Sequence, residues 1–417
     1  MQIVVVAPEP TSVAARSDAR LNREICGVGL LERTLVTAQR AGASEVVLVW
    51  PQSLPLELAN GTLQSRLLEK KDNFRLVQVG YFDPNDHSSW ANLQDQLEDH
   101  FIWLPWNWVT NASALAKLPK LKQSSPDWGG PTWASKSAVV SAASPRPRIG
   151  PVPEGVAVTS DNTADAAERF LVAYSGKASD GIHSSFNRRL CRPVVRWLSH
   201  TRVTPNTVTF TGVVVAIFSA IAFAGGNYWS YVAGALLFFI SGLFDEMDGM
   251  LARIKFSDSP FGTYLESHAD SLSYLLLFGG ITIGLYRQHG DRELWIGGAL
   301  LTGVVLALVI TTLQRKRAAT ADRPTEYLGN FYRKLEQDSS NWISRAVRQA
   351  QGFQRRGILI HYVVLFTLLG GLPVLFYLAT IGAHITWMLA LYYNHKFFKQ
   401  ATTGVPLSKT HVTQGRS

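Results

Sequence analysis

Hydrophobic positions change their rhythm along this chain of 417 residues. Up to residue 120 they form short apolar runs at 3–7, 45–50, 75–81 and 101–104. Between these, at 30–41 and 63–71, apolar residues recur every three or four positions. Runs of that length suit strands covered on both faces, and the three-four spacing suits one face of a helix. Strands alternating with helices predict an α/β domain around a parallel sheet. Residues 121–150 lose the pattern and are rich in Ser, Pro, Gly and Ala, which predicts a long loop or linker; 164–175 predict a short helix. Residues 182–204 interleave Arg188, Arg189, Arg192, Arg196 and Arg202 with Phe186, Leu190, Val194, Val195 and Leu198. Such a segment can lie in a membrane interface, with Pro193 as a point of kinking or splitting. Six apolar spans follow, at 207–225, 229–246, 264–286, 294–314, 357–372 and 374–393, most of them near the ~20 residues that cross a bilayer. The expected fold is an α/β N-terminal domain (1–120) and a linker with a short helix (121–181). After them come an amphipathic juxtamembrane helix (182–204), an all-α polytopic membrane domain of six transmembrane helices (205–395) and a tail (396–417).

Charge separates the same two halves. Residues 1–165 carry 15 Lys and Arg against 17 Asp and Glu, a net −2, while 166–417 carry 25 against 14, a net +11. Basic residues beside apolar spans point to cytoplasmic loops and anionic headgroups rather than to nucleic acid, which would call for basic residues mixed with exposed aromatics on a soluble face. Ten Lys and Arg fall in 315–356, two in 247–263 and four after 393, against none in 226–228 or 371–373 and two in 287–293. This asymmetry predicts an integral protein of the cytoplasmic (inner) membrane with both termini in the cytoplasm. Cys26 and Cys191 suggest neither a disulfide framework nor a metal knuckle. The opening Gln2-Ile-Val-Val-Val-Ala7 has no basic region before it and reads as a buried strand, not a signal peptide.

The candidate chemistry lies where the second span ends and the third begins. Asp245, Asp248, Gly249, Ala252 and Arg253 close one apolar run; Gly262, Glu266 and Asp270 open the next. Acidic residues at membrane depth are expensive and point to function. Spacings of three and four put each acidic pair on one helix face, so a hairpin brings four carboxylates together on the cytoplasmic side. Alone they repel and take up protons; with divalent cations they form an all-oxygen site for phosphate chemistry. That predicts Mg²⁺ or Mn²⁺ in a two-metal site. Gly249, Gly262 and the small Ala252 leave room for close approach, and Arg253 offers a paired donor for a pyrophosphate. Lys255 and Arg315 can attract an anionic phosphate or simply belong to the cytoplasmic positive charge. His268 reads as a polar residue on another face. A transporter is the remaining alternative, but no paired discontinuous repeats are evident.

Residues 245–270 resemble the signature of the CDP-alcohol phosphatidyltransferases, D-x2-D-G-x2-A-R-x8-G-x3-D-x3-D, with Glu266 in place of the third Asp. Thr204-Pro205-Asn206 at the first span is also typical of them. The resemblance implies transfer of a phosphoalcohol group from a CDP-alcohol donor to an acceptor hydroxyl in phospholipid synthesis, with release of CMP. It implies Asp245, Asp248, Glu266 and Asp270 as metal ligands and Asp270 also as the catalytic base. It implies CDP contacts from Asn206, Asp245, Asp248, Gly249, Ala252, Arg253 and Gly262, and a homodimer within the lipid bilayer. The donor stays open between CDP-diacylglycerol and a CDP-polar alcohol. The front domain is similar to sugar-phosphate nucleotidyltransferases through Gly27–Val49 and Phe101-Ile-Trp-Leu-Pro-Trp-Asn107. Yet Pro8–Arg16 lacks their glycine-rich loop, and Asn107 stands where they have a metal-binding Asp. The whole layout resembles the fusion of an inositol-1-phosphate cytidylyltransferase with a CDP-alcohol phosphotransferase. The rival expectation is a catalytically weak membrane scaffold whose degenerate front domain binds nucleotide.

Overall fold

The computed structural model describes residues 1–7, 23–68, 71–80, 82–83, 86–120, 130–140, 154–176, 182–318 and 356–398. The glycine-free stretch at 8–16, parts of the 121–181 linker, most of the 315–356 loop and the tail after 398 lie outside them. The chain divides into two compact units. One comprises Met1–Asp180, Ser185–Val208 and Glu246–Gly262; the other comprises Gly181–Ser184, Thr209–Asp245 and Thr263–Ser417.

The first unit is built on strands β1 (Gln2–Val6), β4 (Glu45–Pro51), β5 (Phe74–Val79), β6 (His100–Pro105) and β8 (Thr132–Ser135), in the order β5-β4-β1-β6-β8. The β1–β4, β1–β6 and β4–β5 pairs are parallel, with Ile3 opposite Val46 and Ile102; β8 is antiparallel to β6. Successive residues of these strands feed two separate cores. Ile3, Val5, Leu48 and Ile102 meet Leu31, Leu35 and Val36 of helix α1 (Leu30–Arg40). Val4, Val6, Val47 and Phe101 meet Trp90, Leu93 and Val139 on the other face. A short hairpin, β2 (Glu24–Ile25) with β3 (Val28–Gly29), and an antiparallel pair distant in sequence, β7 (Trp108–Thr110) with β9 (Gly155–Ala157), complete the strands described.

Two expectations change here. The helix expected at 63–71 lies upstream, as α2 (Leu56–Leu63), with a 3-10 turn at Lys71–Asn73. Asn60-Gly61 looks like a breaker, but Pro55 fixes the entry and Ala59 is fully buried while Leu58 and Leu63 pack on the core. Tertiary burial outweighs a propensity deficit of about 1 kcal/mol. The region expected to be loop at 121–150 supplies the edge strand β8 and a short helix, Lys136–Val140, because Ala134 and Val139 are buried on the sheet. Helix α3 (Asp161–Tyr174) starts in a capping box between Ser160 and Thr163. Helix α4 (Ile182–Ser199) runs unbroken through Pro193.

The second unit draws on helices α5 (Pro205–Ala224), α6 (Tyr228–Ile254), α7 (Pro260–His289), α8 (Asp291–Ala318), α9 (Arg356–Leu368) and α10 (Leu372–Phe398). Among the described residues four segments are long and apolar enough to span a membrane: Pro205–Ala224, Pro260–His289, Asp291–Leu313 and Leu372–Tyr393. Ile358–Leu368 is a shorter apolar helix. These segments make the chain an integral membrane protein. Phe223, Phe238, Leu277, Ile281, Leu300 and Phe376 form the shared core. At Gly280 a Cβ would stand 2.5 Å from the Ala220 carbonyl oxygen, so α5 and α7 cross at backbone distance.

Candidate active site

Helix α6 carries Asp245, Asp248, Gly249, Ala252 and Arg253 at spacings of three and four, which align them along one side. Helix α7 carries Gly262, Glu266 and Asp270 in its first three turns. The carboxylates of Asp245, Asp248 and Glu266 converge: one oxygen from each lies within 4.8 Å of the others. Asp248 is 4% exposed, and its two neighbours are half-buried. Three carboxylates so close, one of them buried, can hold a cation or else share protons. An all-oxygen donor set without His or Cys suits Mg²⁺ or Mn²⁺. Asp270 lies one turn beyond Glu266, half-buried, and is not part of this cluster.

The other expected residues fall into two groups. Gly262 adjoins Asn206: a Cβ on Gly262 would stand 3.3 Å from the Asn206 side-chain oxygen and 3.1 Å from Ser259 Oγ, which accepts from the Gly262 amide. Gly249 faces Arg253, whose guanidinium would lie 3.2 Å from an added Cβ, so the glycine lets that side chain fold back over the helix. The Arg253 Nε donates to the Ser175 carbonyl. Lys255 Nζ donates to the carbonyls of Thr201 and Val203 at 2.7 and 3.1 Å, and burial pushes its pKa down. Its charge is thus committed to the α4–α5 connection. Arg315 lies in the last turn of α8. His268 is exposed, with its ring on Tyr264 and Nδ1 2.8 Å from the Tyr264 carbonyl. Asn107, at the position of the expected metal-binding Asp, donates from Nδ2 to the Val158 carbonyl and takes part in backbone pairing there.

Sequence reasoning missed several partners. Glu246, between the two motif aspartates, pairs with Arg188 of α4 at 2.9 Å, both side chains nearly buried. Glu168 of α3, also buried, accepts from the Cys26 amide and pairs with Arg196 and His200. The only advance signal was that buried carboxylates need cations and that α4 is rich in arginine.

The chain has relatives of matching character. Residues 202–392 match the model of the CDP-alcohol phosphatidyltransferase family. A bifunctional IPC transferase and DIPP synthase of Aquifex aeolicus is 22% identical over 237 residues, 56% of this chain and 49% of that protein. An archaetidylinositol phosphate synthase of Methanothermobacter thermautotrophicus is 39% identical over 77 residues, 18% of this chain and 38% of that protein. A phosphatidylinositol phosphate synthase of Mycobacterium tuberculosis is 29% identical over 136 residues, 32% of this chain and 60% of that protein. The chain thus spans less than two thirds of the length of each. The signature residues and their acidic cluster thus lie within residues 202–392, the part of the chain that matches the CDP-alcohol phosphatidyltransferase family.

Proposed function

We propose that this chain moves a phosphoalcohol group from a CDP-alcohol to an acceptor hydroxyl, releasing CMP, in phospholipid synthesis. The observation that carries the reading is the convergence of Asp245, Asp248 and Glu266 within 4.8 Å inside the family's signature. These three, with Asp270 at the edge of a second position, would hold Mg²⁺ or Mn²⁺. Such ions, when bound, neutralise phosphate charge and stabilise the attacking and leaving oxygens. Asn206, Gly249, Ala252, Arg253 and Gly262 receive the CDP portion along one side of the helix pair. Asp270 accepts the proton of the acceptor hydroxyl. The acceptor oxygen then bonds to phosphorus, and the bond to CMP breaks with its electron pair leaving on the CMP phosphate. Arg315 contributes positive charge for the entering phosphate; Lys255, the other residue expected there, is instead engaged by the Thr201 and Val203 carbonyls.

The reading includes six transmembrane helices, α6 and α9 joining the four long apolar segments, and α4 lying in the interface with its arginines toward headgroups. Positive charge in the connecting loops supports a cytoplasmic membrane with both termini and the site on the cytoplasmic side. It also keeps the boundaries 182–204, 205–395 and 396–417 and a homodimer, while the front domain begun at 1–120 takes in β8 from the 121–181 segment. Two of the relatives are named as synthases of an inositol phosphate lipid, which puts inositol phosphate first among acceptors to test. CDP-diacylglycerol and CDP-polar alcohols are both to be tried as donors.

Asp270→Asn tests the base assignment. The variant should lose at least 100-fold in CMP release while retaining cation binding at the Asp245–Asp248–Glu266 cluster, which it leaves intact. Turnover at the wild-type rate would overturn the assignment. The second reading, a weak scaffold with a nucleotide-binding front domain, draws on Glu266 and on Asn107's engagement with Val158. It predicts nucleotide binding with no CMP release from any donor.

A further inference from the structure

We propose that the N-terminal α/β unit, through Arg33 and Arg40 of α1, holds the turn that ends the acid-bearing helix α6, so that these are positioning residues for the site. The turn is unusual. The Ser257 amide donates to the Ala252 carbonyl at 2.9 Å and Lys255 to Leu251 at 2.9 Å, the pattern of a helix closed by a left-handed residue. That residue is Phe256, at φ +53°. Glycine is the usual occupant, since a side chain there crowds the backbone. A strained residue of this kind persists where its surroundings over-determine it.

The surroundings come from the front sheet domain. Phe256 packs against the α1 side of its core. The guanidinium carbons of Arg33 and Arg40, two turns apart on α1, lie 5.0 and 4.9 Å from the centre of its ring. Arg33 Nη2 donates to the Ile254 carbonyl at 3.0 Å and to the Ile25 carbonyl at 2.8 Å, satisfying an oxygen at the helix end. Arg33 is 2% exposed. Burial pushes its pKa down to about 10, which leaves it charged at neutral pH. Arg40 Nη1 pairs with Asp258 at 2.6 Å and Nη2 donates to the Phe256 carbonyl at 3.2 Å. One helix face therefore grips four consecutive features of the turn: the Ile254 carbonyl, the Phe256 ring, the Phe256 carbonyl and the Asp258 carboxylate. The Ala252 carbonyl that closes the turn belongs to the signature, next to Arg253. A domain whose nucleotidyltransferase position holds Asn107 gains a use that requires no nucleotide.

The catalytic consequence rests on the phosphotransferase reading; the mechanical one does not. The experiment is hydrogen exchange of the full chain in lipid nanodiscs, followed on peptides covering 250–260 and on β1 and β4, for wild type, Arg33→Gln, Phe256→Ala, Phe256→Gly and Phe256→Tyr. Arg33→Gln and Phe256→Ala should speed exchange at 250–260 at least tenfold with β1 and β4 unchanged. Phe256→Gly, free of strain but without the ring, should also speed it, and Phe256→Tyr should restore wild-type protection. In CMP release the first two should raise KM for the CDP donor at least fivefold, more than they lower kcat. Unchanged exchange at 250–260 in Phe256→Ala overturns the proposal, whatever Arg33→Gln does to the stability of the sheet. A wild-type chain that releases no CMP yet shows these exchange effects defeats the phosphotransferase reading and leaves the clamp standing.

Discussion

Asp248→Asn should have opposite effects on the metal-free and metal-loaded protein. In the cluster, oxygens of Asp245, Asp248 and Glu266 lie within 4.8 Å of one another. At an effective dielectric constant of 20, two unit charges 4.8 Å apart repel by about 3.5 kcal/mol. Neutralising Asp248 removes two such pairs, about 7 kcal/mol at full ionisation. Against this stands about 1–3 kcal/mol for a buried amide whose hydrogen bonds are not all made. In EDTA the variant should therefore unfold at a higher temperature than wild type. With Mn²⁺ or Mg²⁺ the order should invert, because the variant loses a charged ligand and most of the metal-induced stabilisation. Thermal unfolding in detergent, followed by intrinsic Trp fluorescence with and without metal, reads both. An Asp248→Asn protein that melts lower than wild type in EDTA but keeps a full metal-induced shift would refute the cluster as a cation site.

Further outcomes follow from packing and charge. Gly280→Ala sets a Cβ 2.5 Å from the Ala220 oxygen and 2.8 Å from the Ala220 Cα, and backbone cannot yield as a side chain does. It should lower stability by about 1–3 kcal/mol, whereas Gly298→Ala, with nothing within 4 Å, should be neutral or stabilising in the same melting assay. Arg188→Met strands the nearly buried Glu246 and should cost about 3 kcal/mol; adding Glu246→Leu should recover most of it, a double-mutant cycle measured by denaturation. Burial pushes the Cys191 thiol up to about 12 from an ordinary 9.0. The folded state therefore keeps a proton that the unfolded state loses, so this thiol's contribution is complete below pH 9 and declines as pH rises toward 12. Native protein at pH 8 should accordingly alkylate at Cys191 far more slowly than protein unfolded in denaturant, by mass spectrometry.

Some of this architecture is plain in the chain. The runs at 3–7 and 45–50 are apolar at almost every position because β1 and β4 are covered on both faces, and that pattern has few other solutions. The acidic cluster is legible for a different reason: helical spacing fixes which side chains share a face, so Asp245, Asp248 and Glu266 need only one hairpin to meet. Asp270 obeys the same spacing but is not among the three carboxylates that meet within 4.8 Å, and spacing along one helix cannot say how far its side chain reaches across a pair. Strand β8 was hidden because an edge strand of four residues is specified by what Ala134 and Trp133 pack on, not by its own composition. The hold of Arg33 on Ile254 spans 221 positions, and Glu246–Arg188 spans 58. Neither leaves a local trace. Phe256 gives no hint of a left-handed turn, since glycine is the residue that announces one.

The most direct test of the central claim is CMP release by membranes containing the full chain. CDP-diacylglycerol and CDP-polar alcohols are supplied separately with inositol phosphate or lipid acceptors, with Mg²⁺ or Mn²⁺ and again with EDTA. The account predicts release with one donor class, abolished by EDTA and by Asp248→Asn. Release that persists undiminished in EDTA, or none with any pair while nucleotide still binds, would contradict it.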